Sequence, residues 1–242
     1  MGQCSVMLGF DAEYRIPIFV DFFKTGHLCV IGGTGSGKSV AISYFLYKLF
    51  DLPVPIELYI GDFKKSGDYT ELSPNFAEFD TVVDLIDQFY NIFESTPEGY
   101  NGLKILILDE FAGFMIWLTQ QDKKRSDAIK SKIANLLMMG RSKHCFVWSI
   151  QQRISASLYP TGVGAIDNFQ ICVGLGRLSP DSRKSLFAGE WADNTLFMQS
   201  YQPKTGQGLI LIDGMPIRPF ALPYISDKNR LITVCKKKIY SK

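Results

Sequence analysis

The sequence has no apolar run approaching the length of a membrane span, and its first residues lack the charged-then-apolar pattern of a secretory signal. Gly2 is no acylation signal either, because Val6 stands where Ser or Thr is wanted. An integral membrane segment is therefore not expected. The five cysteines, Cys4, Cys29, Cys145, Cys172 and Cys235, are scattered, with no CxxC and no zinc spacing. That excludes a disulfide framework and reads as reduced, mostly buried thiols of a cytoplasmic protein. No GxGxxG can be laid on the glycines of residues 29–40, so a dinucleotide fingerprint is excluded. Internal repeats and an interdomain linker are also missing. The 242 residues are expected to form one domain over 1–235, with a basic tail over 236–242 that starts in the Lys236–Lys238 run.

The net charge of +2 conceals an asymmetry. Residues 1–120 carry 7 Lys/Arg against 16 Asp/Glu, a balance of −9, whereas residues 121–242 carry 19 against 8, a balance of +11. A basic half suits a polyanion-facing surface, and it equally suits a solvated face that balances an acidic neighbour.

What stands out among the residues present is CVIGGTGSGKSV, residues 29–40, in which Gly32, Gly37, Lys38 and Ser39 fill the pattern GxxxxGK[ST]. In such a loop the backbone N–H groups of Gly32, Gly33, Thr34, Gly35, Ser36, Gly37, Lys38, Ser39 and Val40 surround phosphates, the lysine neutralises them, and the Ser39 hydroxyl ligates Mg²⁺. The flanks agree. An apolar run from His27 to Ile31 supplies a strand before the loop, and Ile42, Phe45, Leu46, Leu49 and Phe50 follow at helical spacing, so the loop opens a helix whose N-terminus favours anions.

Further strands are expected at Val6–Phe10, Arg15–Val20, Ile56–Ile60, Cys145–Ile150 and Phe169–Val173, with a terminal hairpin of Leu209–Ile212 and Pro216–Ala221 around Asp213–Gly214. Helices are expected over Val82–Phe93, along Ile129, Ile133, Leu136 and Leu137 to a stop at Gly140, and from Pro180 towards Ala188; residues 63–79 read as mostly loop. Strands alternating with helices predict an α/β fold with a mostly parallel central sheet flanked by helices, of the RecA-like P-loop NTPase type, with ligands at the carboxyl ends of the strands.

Lys104–Glu110 is a continuous apolar run ending in two carboxylates. Asp109 suits a carboxylate that holds hydrated Mg²⁺, and Glu110 suits a base for the attacking water, which favours hydrolysis of ATP over simple binding. After Gly140 comes Arg141, and the next strand ends in Gln151 and Gln152. Gln151 is the candidate sensor of the γ-phosphate, and Arg141, at a helix exit away from the nucleotide face, suits a neighbouring subunit's site.

In this order of motifs the chain resembles the FtsK/HerA superfamily of ring-forming DNA-pumping ATPases, and within it the FtsK/SpoIIIE motor domain. The resemblance runs through LGFDAEYRIPIFVDFFKTGHLCVIGGTGSGKSV, IGDFKK, ILILDEFAGFM, GRSKHCFVWSIQQR and GQGLILIDGMPIRPFALPYIS, nearly the whole chain. It implies ATP and Mg²⁺ as cofactors, Lys38 and Ser39 on phosphate and metal, Asp109 on Mg²⁺, Glu110 on water, Gln151 as sensor and Arg141 as a trans-acting arginine finger. It also implies a homo-oligomeric ring, a hexamer, around double-stranded DNA, with Lys64, Lys65, Lys123, Lys124, Arg125 and Arg153 as candidate phosphate contacts. The interval from Lys38 to Asp109 is shorter than in the chromosome motors, and Phe63 replaces the proline of their aspartate-proline-lysine. Neither their membrane anchor nor their winged-helix module is found in these residues, which points to conjugative transfer, replication or packaging of a mobile element, with a relaxase or replication protein as partner. The alternatives are a type VII-like protein-secretion ATPase and a nucleotide-dependent adaptor.

Overall fold

The computed structural model describes residues 5–70, 72–160, 164–187 and 200–240. In chain order the strands are β1 (Ser5–Asp11), β2 (Pro17–Asp21), β3 (Leu28–Gly32), β4 (Ile56–Asp62), β5 (Asn75–Glu78), β6 (Leu103–Asp109), β7 (Cys145–Gln151), β8 (Ile171–Leu175), β9 (Gln207–Ile212) and β10 (Arg218–Ala221). The helices are α1 (Lys38–Leu49), α2 (Val82–Ser95), α3 (Phe111–Gln121), α4 (Lys123–Met139), α5 (Pro180–Leu186) and α6 (Lys228–Tyr240). The strands make one sheet in the order β2-β1-β10-β9-β8-β3-β7-β6-β4-β5. From β8 to β5 the pairs are parallel, and β9, β10, β1 and β2 continue it antiparallel.

Every residue of β3, β6, β7 and β8 is buried, which is why their sequences are mostly apolar, with Lys104, Asp109, Ser149 and Gln151 as buried polar exceptions. Their side chains alternate between two cores. Leu28, Val30, Ile105 and Ile107 pack with Ala41, Phe45 and Leu49 of α1 and Cys235 of α6. Cys29, Ile31, Leu106 and Leu108 pack on the other face with Ile86 of α2, Phe114 of α3, Ile133 of α4 and Leu186 of α5.

The expected tail is corrected. Residues 236–240 belong to α6 rather than to a tail: Cys235 is fully buried, its Sγ 3.5 Å from the Ser43 carbonyl, and Lys238 Nζ donates to the Tyr47 carbonyl at 3.2 Å and pairs with Asp51. The lysine run is the solvated and pairing side of an amphipathic helix, so the β9–β10 hairpin is not the last element. The 63–79 segment also holds β5, a short edge strand whose four residues are all half-buried and so show no alternation. The expected end of α5 at Ala188 lies outside the described residues.

Candidate functional site

The loop from Gly32 to Ser39 joins β3 to α1. Gly37 sits at φ 100°, a left-handed backbone that a side chain would strain, and a Cβ there would stand 3.1 Å from the Gly206 amide. At Gly33 and Gly35 an added Cβ would meet nothing within 4 Å, so the loop's outer side is open to an incoming group. Lys38 Nζ folds back and donates to the carbonyls of Gly32 at 2.7 Å and Gly33 at 3.2 Å. Partial burial pulls its pKa down, against the opposing pull of Glu110 and Asp109. A turn remote in sequence braces the loop: the Gly206 amide donates to the Ser36 carbonyl at 2.9 Å and Thr205 Oγ1 to the Gly35 carbonyl at 3.3 Å. The sequence gives no signal for this bracing, because it comes from the entry to β9.

Three carboxylates gather at the ends of β4 and β6, and two of them, Asp109 and Glu110, act on the charge of Lys38. Asp62 and Asp109 end neighbouring parallel strands in register with each other, and Glu110 follows directly. Burial, then Asp62, then Glu110, push the Asp109 carboxyl up to about 7. Asp109 and the Ser39 side chain both act on the Tyr69 hydroxyl, and a carboxylate and a hydroxyl gathered in this way fit a divalent metal bound together with phosphates. Tyr69, fully buried, presents its hydroxyl to the same group; burial first, then Asp109 and Asp68, hold its pKa well above the ordinary value. Glu110 caps α3 with φ 55° and ψ 39°, left-handed for a residue with a side chain, and its amide donates to Asp109 Oδ1 at 3.0 Å. Such strain is held only where the surroundings fix it.

The two glutamines part company. Gln151 is fully buried, pairs in register with Ile31, and its Nε2 lies 3.9 Å from Cys29 Sγ, so it points into the core on the far face from α1. Gln152, one residue on and exposed, places Nε2 3.4 Å from Glu110 Oε1. The side chain that reaches the carboxylates is therefore Gln152 and not Gln151, because successive residues of a strand face opposite ways.

Arg141 lies in the one-turn helix Gly140–Lys143 that leads into β7, at the end of the sheet opposite the phosphate loop. It is exposed and lines an open cleft with Phe23, Lys24 and Ser142. Its turn is firmly held. The Ser142 carbonyl accepts from Gly99 at 2.8 Å, Lys143 Nζ donates to the Phe93 and Glu94 carbonyls at 3.0 Å, and a Cβ on Gly140 would strike the Cys145 carbonyl at 2.1 Å. This arginine cannot reach the phosphate loop of its own chain.

The basic candidates also divide. Lys64 is exposed, with Nζ 2.7 Å from Glu110 Oε1. Arg125 pairs with Asp87, which Lys132 shares. Lys65 lies 5.4 Å from the centre of the Phe79 ring, and Lys123, Lys124 and Arg153 are exposed.

Together these features define the fold class: a RecA-like P-loop fold, a mostly parallel sheet flanked by helices. No protein-family model and no curated protein matches the chain. Solved structures do. The conjugation coupling protein TcpA of pCW3, a monomer form with ATPγS, superposes with a TM-score of 0.73 at 18% identity, over 96% of this chain and 71% of that one. The cytoplasmic domain of the Thermomonospora curvata type VII secretion ATPase EccC gives a TM-score of 0.70 at 18% identity, over 98% of this chain but only 31% of that one. VirB4 of Thermoanaerobacter pseudethanolicus gives 0.67 at 9% identity, over 95% and 99%. At these identities the likeness is one of fold. No described helix is long and apolar enough to cross a membrane.

Proposed function

We propose that the protein is an ATP-hydrolysing motor of the FtsK/HerA type that assembles as a ring and moves double-stranded DNA. The observation that carries the hydrolytic part is that Asp109 and Glu110, at the end of β6, act on the charge of Lys38 in the loop after β3, with only β7 between the two strands. Ser39 and Asp109 would hold Mg²⁺, which supplies charge neutralisation between the β- and γ-phosphates when bound. Lys38 binds the phosphates, Glu110 accepts the proton of the attacking water, and Gln152 takes the sensor place assigned to Gln151 in the sequence reading. Arg141, on a rigid turn at the far end of the sheet, serves the site of the next subunit, and this makes turnover depend on assembly.

The DNA part rests on the resemblance in motifs and on exposed Lys123, Lys124 and Arg153. A second reading has a specific observation behind it: EccC, one of whose structures contains a signal sequence peptide, superposes nearly as well as the conjugation protein. The deciding experiment measures ATP hydrolysis with and without duplex DNA, alongside particle size in ATP. DNA-stimulated turnover by a multi-subunit particle supports the DNA motor. Turnover indifferent to DNA and raised by a secretion-signal peptide replaces it with a protein-moving ATPase, and nucleotide binding with no turnover leaves only an adaptor.

A further inference from the structure

In the IGDFKK stretch, residues 60–65, the first lysine pairs with Glu110. The backbone after β4 is locked by Asp62: its Oδ2 accepts from the Ser66 amide at 2.7 Å, the Ser66 hydroxyl at 2.8 Å and the Gly67 amide at 3.3 Å. The locked loop aims Lys64 sideways across the sheet edge, with Nζ 2.7 Å from Glu110 Oε1. From the other side, the end of β7 brings Gln152 Nε2 to 3.4 Å from that same oxygen. Because β4 and β7 flank β6, the carboxylate that follows β6 is held from both sides. Glu110 is nearly enclosed, its side chain 11% exposed against 48% for Lys64, so the pair is partly shielded from water.

We propose that Lys64 is a positioning residue for ATP hydrolysis, fixing Glu110 through Oε1 so that Oε2 is the oxygen presented to the attacking water. The inference rests on the ATPase reading above. Both donors converge on Oε1, which leaves the lone pairs of Oε2 for the water. In the reaction the water oxygen bonds to the γ-phosphorus while Oε2 takes its proton. The bond from that phosphorus to the bridging oxygen breaks, and its electron pair leaves on ADP. Lys64 neither gives nor takes a proton. Its role is geometric: a Glu110 backbone in a strained conformation does not by itself fix the carboxylate, and misplacement of a reacting group by about 1 Å can lower a rate about 100-fold.

The test uses the full chain with Lys64→Met and Lys64→Arg. It follows ATP turnover without and with duplex DNA, equilibrium binding of a fluorescent ATP analogue, and DNA affinity against salt. Lys64→Met is expected to lower kcat about 10–100-fold in both conditions. It should leave KM and analogue affinity within about 3-fold and the salt slope unchanged, and Lys64→Arg should recover part of the loss. An unchanged kcat overturns the inference. A raised DNA-free kcat overturns it too, making the pair a restraint on Glu110. So does a salt slope reduced by about 1 with DNA-free turnover intact, which returns Lys64 to the DNA. Wild-type protein that binds the analogue and never turns over brings down the ATPase reading and this inference together. Wild-type turnover unmoved by Lys64→Met brings down the inference alone.

Discussion

On the proposed function Lys38 and Glu110 serve different stages, phosphate binding and hydrolysis, and their variants should separate accordingly. A ligand present at about 100 times its Kd stabilises a fold by about 2.7 kcal/mol, which for a chain of this size raises the melting temperature by roughly 5–10 °C. Lys38→Ala should lose that ATP-dependent rise, because the cradle loses the cation that offsets clustered phosphate charge. Glu110→Gln should keep the rise and turn over at least about 100-fold more slowly, since an amide of the same shape cannot take a proton. A Glu110→Gln enzyme as fast as wild type would require a different base. Lys38, Ser39 and Asp109 are legible in the sequence because each sits in a local pattern: a glycine-rich loop between strand and helix, and a carboxylate closing an apolar run. Lys64, Gln152 and Thr205 are not, because what brings them to the site is strand order and side-chain alternation, which no local spacing records.

Among the elements, the central strands are readable for a physical reason: β3, β6 and β7 are covered on both faces, so their sequences are mostly apolar, the polar residues falling mainly toward their ends. The half-buried edge strand β5 and the lysine-bearing α6 carry weaker patterns and were missed. Just before β3 stands His27, whose Nδ1 accepts from the Val147 amide at 3.0 Å. Burial, and secondarily Arg141, lower its pKa from 6.5 to about 3. A histidine kept neutral in the fold binds its proton more readily once unfolded. Its contribution to stability is therefore whole above pH 6.5 and is given up as pH falls from there towards 3. The amount is on the order of 3–5 kcal/mol across that window. Melting temperature followed against pH should show this fall in the wild type, and His27→Asn should flatten it while lowering stability near neutrality. Identical slopes for the two proteins would mean that other groups govern the acid limb.

At the scale of the whole molecule, part of the charge asymmetry is internal. Arg125 and Lys132 from the basic half meet Asp87 of the acidic half, and Lys238 meets Asp51. What remains for a polyanion is a smaller set, and it makes a sharp prediction. Lys123→Ala with Lys124→Ala should weaken duplex DNA binding equally for all sequences and reduce the slope of log affinity against log salt by about 2. An unchanged slope would remove both lysines from the DNA path.

On the proposed function each nucleotide site is completed by the next subunit, because Lys38 and Arg141 lie at opposite ends of one sheet and meet only across an interface. An arginine supplied from a neighbour is worth on the order of 10³ to 10⁵ in rate in other nucleotide hydrolases, with little effect on ground-state binding. Lys38→Ala and Arg141→Ala are each expected to be inactive alone, with Arg141→Ala still binding ATP. Mixed together, they should regain part of the wild-type turnover, because an intact Lys38 can face an intact Arg141, whereas the double variant in one chain should stay silent under every mixing ratio. No recovery on mixing, or an Arg141→Ala protein that hydrolyses ATP like wild type, would contradict the shared site.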